Sequence, residues 1–171
     1  RVKAADLKMN REELSLNVSK YYAKLLAIKD EYEVARLFTD GTFMKELYDQ
    51  FEGPVKLKFY LAPPLFAKRD PLTGKMQKKL YGSWMMMGFR ILSKLKGLRG
   101  TVFDIFRYTK DRKMEVGLIK EYETRIDYLL GKLKPENYDL AVALASLPEY
   151  IRGYGHVKEC SLQDVKVNEE V

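Results

Sequence analysis

From Arg11 onward, apolar residues recur at helical spacing. Leu14, Val18, Tyr21, Tyr22, Leu25 and Ile28 fall three or four residues apart, which predicts a helix turning one face to a core. Asn10 is the expected N-cap, with Glu12 and Glu13 in the first turn where the helix dipole favours carboxylates. A shorter helix follows through Tyr32, Val34, Ala35, Leu37 and Phe38 and stops at Thr39-Asp40-Gly41. A third, capped by Thr42, carries Phe43, Leu47, Tyr48 and Phe51 on one face and ends at Gly53-Pro54. The period then changes. In Val55-Lys56-Leu57-Lys58-Phe59-Tyr60-Leu61 the apolar residues alternate with Lys56, Lys58 and Tyr60, the pattern of a strand buried on one face. Pro63-Pro64 stops it, since neither residue donates a ladder hydrogen bond. Asp70-Pro71-Leu72-Thr73-Gly74 has the chemistry of a turn, and Met76 to Gly82 reads as a basic return strand.

Behind Ser83, an expected N-cap, comes the most apolar helix, Trp84 to Leu92, with Trp84, Phe89 and Leu92 expected in the core. Lys96-Gly97-Leu98-Arg99-Gly100 ends it. Phe103, Ile105, Phe106 and Tyr108, lacking a clean period, are read as an aromatic loop packed on the core. The longest element runs from about Lys110 to Leu133, with Met114, Leu118, Tyr122, Ile126, Leu129 and Leu133 on its apolar stripe. Pro135 suits the first position of the next helix, whose Leu140 to Leu147 segment is apolar nearly all round and is expected to be buried. The fold class this predicts is mainly α, about six helices packed in one domain around a small β-hairpin at residues 55–82. Residues 1–10 read as a lead-in or linker, 11–160 as the domain, and 161–171 as a polar tail.

Composition narrows the class. Hydrophobic residues at 46% and charged ones at 32% describe a globular chain, and no apolar run reaches the ~20 residues needed to span a bilayer. The opening Arg1-Val2-Lys3-Ala4-Ala5-Asp6 lacks the apolar stretch of a signal peptide; beginning on Arg, the chain reads as a segment of a larger polypeptide or a trimmed chain. With one cysteine, Cys160, no disulfide forms within it, which suits a reducing cytoplasm. The net charge of +7 is unevenly spread. Between Phe66 and Lys113 thirteen Lys/Arg face three Asp, an excess of +10, and the remainder carries −3. A basic middle inside a mildly acidic frame points to an anionic partner.

No catalytic motif emerges. Arg152-Gly153-Tyr154-Gly155-His156 lacks the preceding strand and third glycine of a dinucleotide loop, and reads as a turn. His156 and Cys160 alone would leave a zinc site two ligands short. Met85-Met86-Met87 point in three directions around a helix and read as packing. Glu115, Glu121, Glu123 and Asp127 alternate with Lys120 and Arg125 in the manner of a solvated helix face.

Four strings occur in one order: Lys29-Asp30-Glu31-Tyr32-Glu33-Val34-Ala35-Arg36-Leu37, Leu61-Ala62-Pro63-Pro64-Leu65, Lys96-Gly97-Leu98-Arg99-Gly100-Thr101, and Leu147-Pro148-Glu149-Tyr150-Ile151-Arg152-Gly153-Tyr154-Gly155-His156-Val157-Lys158. Together they resemble the C-terminal accessory domain of the large fused bacterial indolepyruvate ferredoxin oxidoreductases, over about Glu12 to Glu159. The resemblance implies a parent enzyme that uses thiamine diphosphate, Mg and iron–sulfur clusters to oxidise aryl-pyruvates, forming acyl-CoA and reducing ferredoxin. It carries no catalytic, cofactor-binding or metal-binding residue onto this chain, because the family's diphosphate motif and cluster cysteines lie in other domains.

The resulting expectation is a non-catalytic accessory domain that supports assembly with the other domains or docks an anionic partner. Ferredoxin is the first candidate and coenzyme A the second. The docking set is Lys68, Arg69, Lys75, Lys78, Lys79, Lys94, Lys96 and Arg99. The alternatives are a free-standing basic module that binds nucleic acid, weakened by the absence of a helix-turn-helix or RNA-binding signature, and a purely structural oligomerisation domain.

Overall fold

A computed structural model of the chain describes residues 1–63, 70, 76–153 and 156–169; of residues 156 and 164–169 it describes the backbone alone. In chain order the elements are α1 (Val2–Lys8), α2 (Glu13–Leu26), α3 (Glu31–Thr39), α4 (Thr42–Gln50), strands β1 (Phe59–Leu61) and β2 (Lys79–Tyr81), α5 (Met85–Lys94), α6 (Lys110–Lys132), α7 (Tyr138–Ser146) and α8 (His156–Glu169). Eight α-helices and one two-stranded antiparallel sheet among the described residues make the fold mainly α with a small hairpin, as the periodicity predicts. Contacts gather the chain into two compact units, residues 1–28 with 113–171, and residues 29–112. A reading along the chain, which draws one domain over 11–160, has no means of resolving a unit made from both ends of the sequence.

The first unit is built on three apolar stripes. Leu14, Tyr21 and Leu25 of α2 meet Leu118, Tyr122, Ile126 and Leu129 of α6 and Tyr138, Ala141 and Ala145 of α7, all buried in one cluster. These spacings of three, four and seven are what a 3.6-residue period requires of one face. Two sequence expectations change here. Residues 1–10, read as a lead-in, form α1, and its Asp6 is only 1% exposed. The α7 segment, expected to be buried all round, buries one stripe and leaves Leu140 62% exposed. A third concerns Glu115, assigned to a solvated face: it is buried and paired with Lys158 of α8 at 3.2 Å. Periodicity along α6 carries no information about what a distant helix brings to it. The polar tail from residue 161 continues α8 as far as Glu169.

The second unit packs α3 on α5, with the sheet beside them. Ala35, Phe59 and Phe89 are its buried centre. Phe38 stacks on Phe89 at 5.1 Å and meets Phe59 edge-on at 5.6 Å, while Phe59 meets Phe89 edge-on at 5.4 Å. Each pair has the geometry the ring quadrupole favours. Along 55–61 the expected alternation holds residue by residue, Phe59 buried, Val55, Leu57 and Leu61 half-buried, and Lys56, Lys58 and Tyr60 exposed. The ladder itself is shorter than the pattern and pairs Phe59 with Tyr81, Tyr60 with Leu80 and Leu61 with Lys79. The turn expected at 70–74 lies outside the described residues except for Asp70.

Local signals were less faithful at the helix ends. Asn10 takes a positive φ of 54° outside α2, which starts behind Glu12. Before α4 it is Gly41, at φ 97°, that turns the chain, and the Asp40 carboxylate accepts from the Thr42 amide at 3.0 Å. Ser83 is not the cap of α5: its hydroxyl donates to the Leu57 carbonyl at 3.1 Å, and Trp84 is the residue before the helix. Trp84 is corrected too, being 65% exposed. Phe89 and Leu92 are in or against the core as expected. Of the aromatic loop, only Phe106 is buried, edge-on to Tyr32 at 5.2 Å; Phe103 is 72% exposed.

Candidate functional site

The second unit contains a cavity of about 650 Å³. Its floor is the outer surface of the aromatic core, where Phe89 and Leu92 of α5 and Tyr81 of β2 show their edges. Trp84, Ile91 and Leu95 continue the wall along and beyond α5, and Val34 of α3 and Ile105 add to it. All five of these side chains are exposed, as are large apolar side chains elsewhere, such as Leu16, Phe103 and Leu140. Their helical spacing explains this: α5 turns Phe89 inward, so Ile91, two residues on, must point elsewhere.

Only Lys29 and Glu31 bring charged side chains to the lining. They flank Asp30, the N-cap of α3, whose carboxylate accepts from the amides of Tyr32 and Glu33 at 3.1 and 3.3 Å and pairs with Arg99. Glu31 pairs with Arg112 at 3.0 Å, and the same guanidinium donates to the Lys29 carbonyl at 2.7 Å. Burial pushes the Glu31 carboxyl up, against the opposing pull of a hydrogen bond with its own backbone and of Arg112. Lys29 is exposed, and among the described residues its ammonium makes no hydrogen bond or ion pair.

Close by, Asp104 is almost fully buried and accepts three hydrogen bonds, from the Gly100 amide at 2.9 Å, the Tyr32 hydroxyl at 3.1 Å and the Phe106 amide at 3.1 Å. Burial alone would raise its carboxyl. The three donors outweigh that and hold it below the ordinary range, while burial and the bond to Asp104 push the Tyr32 hydroxyl up to about 12. Asp104 thus folds the loop after α5 back onto α3. It is a structural carboxylate, with every oxygen committed.

Of the expected docking residues, Lys68, Arg69 and Lys75 lie outside the described residues. Lys78 and Lys79 are exposed at the start of β2, and Lys94, Lys96 and Arg99 are exposed at and after the end of α5. Arg99 is committed to Asp30, and Lys96 and Arg99 both pull the Glu33 carboxyl down, after its hydrogen bond with Arg36. That places the second group next to the acidic start of α3. Lys94, in the last turn of α5, also sits where the helix dipole favours a cation.

The chemistry of acids, bases and metals is sparse. Cys160 is exposed and free, and one thiolate is three short of what an iron–sulfur cluster requires. Among the described residues no three His, Cys, Asp or Glu side chains are placed to hold a metal ion. Nor is any helix among the described residues long and apolar enough to cross a membrane. Sequence reading missed Lys29, Glu31 and Arg112 as a group. The one available signal was the string Lys29-Asp30-Glu31 opening a helix, and nothing in it shows that a cavity lies beside it.

Compared with known proteins, residues 1–170 match a family described as a Family of unknown function (DUF6537). No curated protein and no solved structure matches.

Proposed function

We propose, for a chain that belongs to the DUF6537 family, a non-catalytic accessory role in a thiamine-diphosphate-dependent indolepyruvate ferredoxin oxidoreductase, with the second unit docking an anionic partner. Ferredoxin is the preferred partner and coenzyme A the alternative. The observation that carries the docking reading is the exposure of Lys78, Lys79, Lys94 and Lys96, four cations of one compact unit that are all open to solvent. The four strings that resemble the accessory domain of that enzyme class support the choice of parent. A cytoplasmic setting and assembly with the other domains of the parent belong to the same proposal.

Such a surface works mainly on the encounter rate, and added salt screens it beyond about 8–10 Å. The test reverses Lys78 and Lys79 to Glu, and separately Lys94 and Lys96 to Glu, in the complete polypeptide. Ferredoxin reduction is followed at low and high ionic strength. The expected result is a rate constant for ferredoxin lowered about tenfold at low salt by at least one pair, with a flatter salt dependence. Unchanged rates and unchanged salt dependence in both variants would remove the docking role and leave the lysines as a solvated surface.

A further inference from the structure

We propose that residues 29–32 and 99–112 form a clasp that closes the second unit on itself, so that this unit opens and recloses as one body while the first stays folded. The inference is independent of what the second unit docks. The chain enters this unit at Lys29 and leaves it at Arg112. Each of the residues from Lys29 to Tyr32 is tied to the exit stretch. The Lys29 carbonyl accepts from the Arg112 guanidinium at 2.7 Å, and the Asp30 carboxylate pairs with Arg99. Glu31 pairs with Arg112 at 3.0 Å. The Tyr32 hydroxyl donates to Asp104 at 3.1 Å, and the Tyr32 ring meets Phe106 edge-on at 5.2 Å.

Burial makes these ties count. Exposed ion pairs contribute little, because water and salt compete for both partners. Here Tyr32 and Asp104 are buried, and the Arg112 and Glu31 side chains are only 15% and 17% exposed. Removing one partner strands the other away from water. The members are also shared. Arg112 serves both Lys29 and Glu31, and Asp104 accepts from the Gly100 and Phe106 amides as well as from Tyr32. Release at one point therefore weakens the rest.

Packing sets the limits of the body that opens. The aromatic cluster of Ala35, Phe59 and Phe89 is drawn from residues 29–112, and the other core cluster from residues 1–28 and 113–171. The helix α3 belongs to both clasp and core: its first turn holds Glu31 and Tyr32, and further along it Ala35 is buried and Phe38 packs on Phe59 and Phe89. Freeing the start of α3 thus loosens the helix against which α5 packs.

Native-state amide exchange of the full chain, read residue by residue by NMR, tests the clasp. Arg112→Gln removes the charge that faces Glu31, and Tyr32→Phe breaks the bond to Asp104. Each should speed the slow amides of α3, α5 and the sheet by one common factor of about tenfold or more, far from the clasp as well as beside it. The slow amides of α2 and α7 should stay within about twofold of their native rates. If Arg112→Gln unfolds the second unit outright, α2 and α7 should still keep those rates, and Tyr32→Phe then supplies the common factor. The proposal is overturned if faster exchange is confined to residues 29–33 and 99–112, or if α2 and α7 are accelerated as much as α3 and α5. It is equally overturned if neither variant changes the slow amides of the second unit.

Discussion

Replacing Tyr138 by Phe removes one oxygen atom and should cost the first unit about 3 kcal/mol. The reason lies at the start of α2. Its N-cap, Glu12, offers no side-chain cap, so the early amides of the helix need partners from elsewhere. Two distant side chains supply them: the Leu14 amide donates to the Tyr138 hydroxyl at 3.0 Å, and the Ser15 amide to Asp6 Oδ2 at 2.7 Å. The Tyr138 hydroxyl in turn donates to Asp6 Oδ1 at 2.7 Å. Asp6, Leu14 and Tyr138 are each 1% exposed, so water cannot take the place of a lost partner. Losing a hydrogen bond to a carboxylate costs about 1.5–3 kcal/mol, and stranding a buried amide about 1–3 kcal/mol. Part of the sum is recovered by relaxation, which leaves about 3. The measurement is urea unfolding followed by far-ultraviolet circular dichroism, with amide exchange at Leu14 as the local probe. Asp6→Ala and the double variant complete a cycle, and a coupling of about 1 kcal/mol or more is expected between residues that share a bond. A loss under about 1 kcal/mol, or strict additivity, would refute the idea that α1 and α7 together cap α2.

Phe89→Ala, at the centre of the three-ring cluster, should destabilise the second unit by about 3–5 kcal/mol, whereas Trp84→Ala should change stability by less than about 1 kcal/mol; denaturant midpoints compare them. Consistent with that, Trp84 should emit to the red and be quenched freely by acrylamide, and a blue, protected emission would contradict the exposed placement. Burial raises the hydroxyls of Tyr122 and Tyr138 to about 12, from an ordinary 10.0. Their folded values lie above their unfolded ones, so the associated stability is whole below pH 10 and is lost as pH climbs from 10 towards 12. Midpoints measured across that interval should fall, and Tyr122→Phe should flatten the fall; a flat profile for the native chain would count against it. Lys158→Met should destabilise by about 3 kcal/mol or more, since it strands Glu115 as a buried, unpaired carboxylate, and Glu115→Gln in the same background should restore part of the loss.

What the sequence determined on its own was periodic. The stripes of α2 and α6, the change of period at Val55, and the burial alternation of 55–61 all follow from which side chains avoid water, and neighbours in sequence are enough to state that. The mainly α class and the hairpin were legible for the same reason, and so was the exposure of Lys78, Lys79, Lys94 and Lys96. Trp84 misled because an apolar residue next to an apolar helix reads as core, although burial depends on which side of α5 meets α3 and the sheet. Asp6 and Glu115 misled in the opposite sense: one lay in a stretch read as a lead-in and the other on a face read as solvated, while their partners lie at Tyr138 and Lys158, 132 and 43 residues away. The cavity was invisible for a related reason. Its wall takes residues from Lys29 to Phe106, and a concave surface is a property of the space between elements, which no single element encodes. Tertiary structure alone decided which apolar side chains were left facing that space.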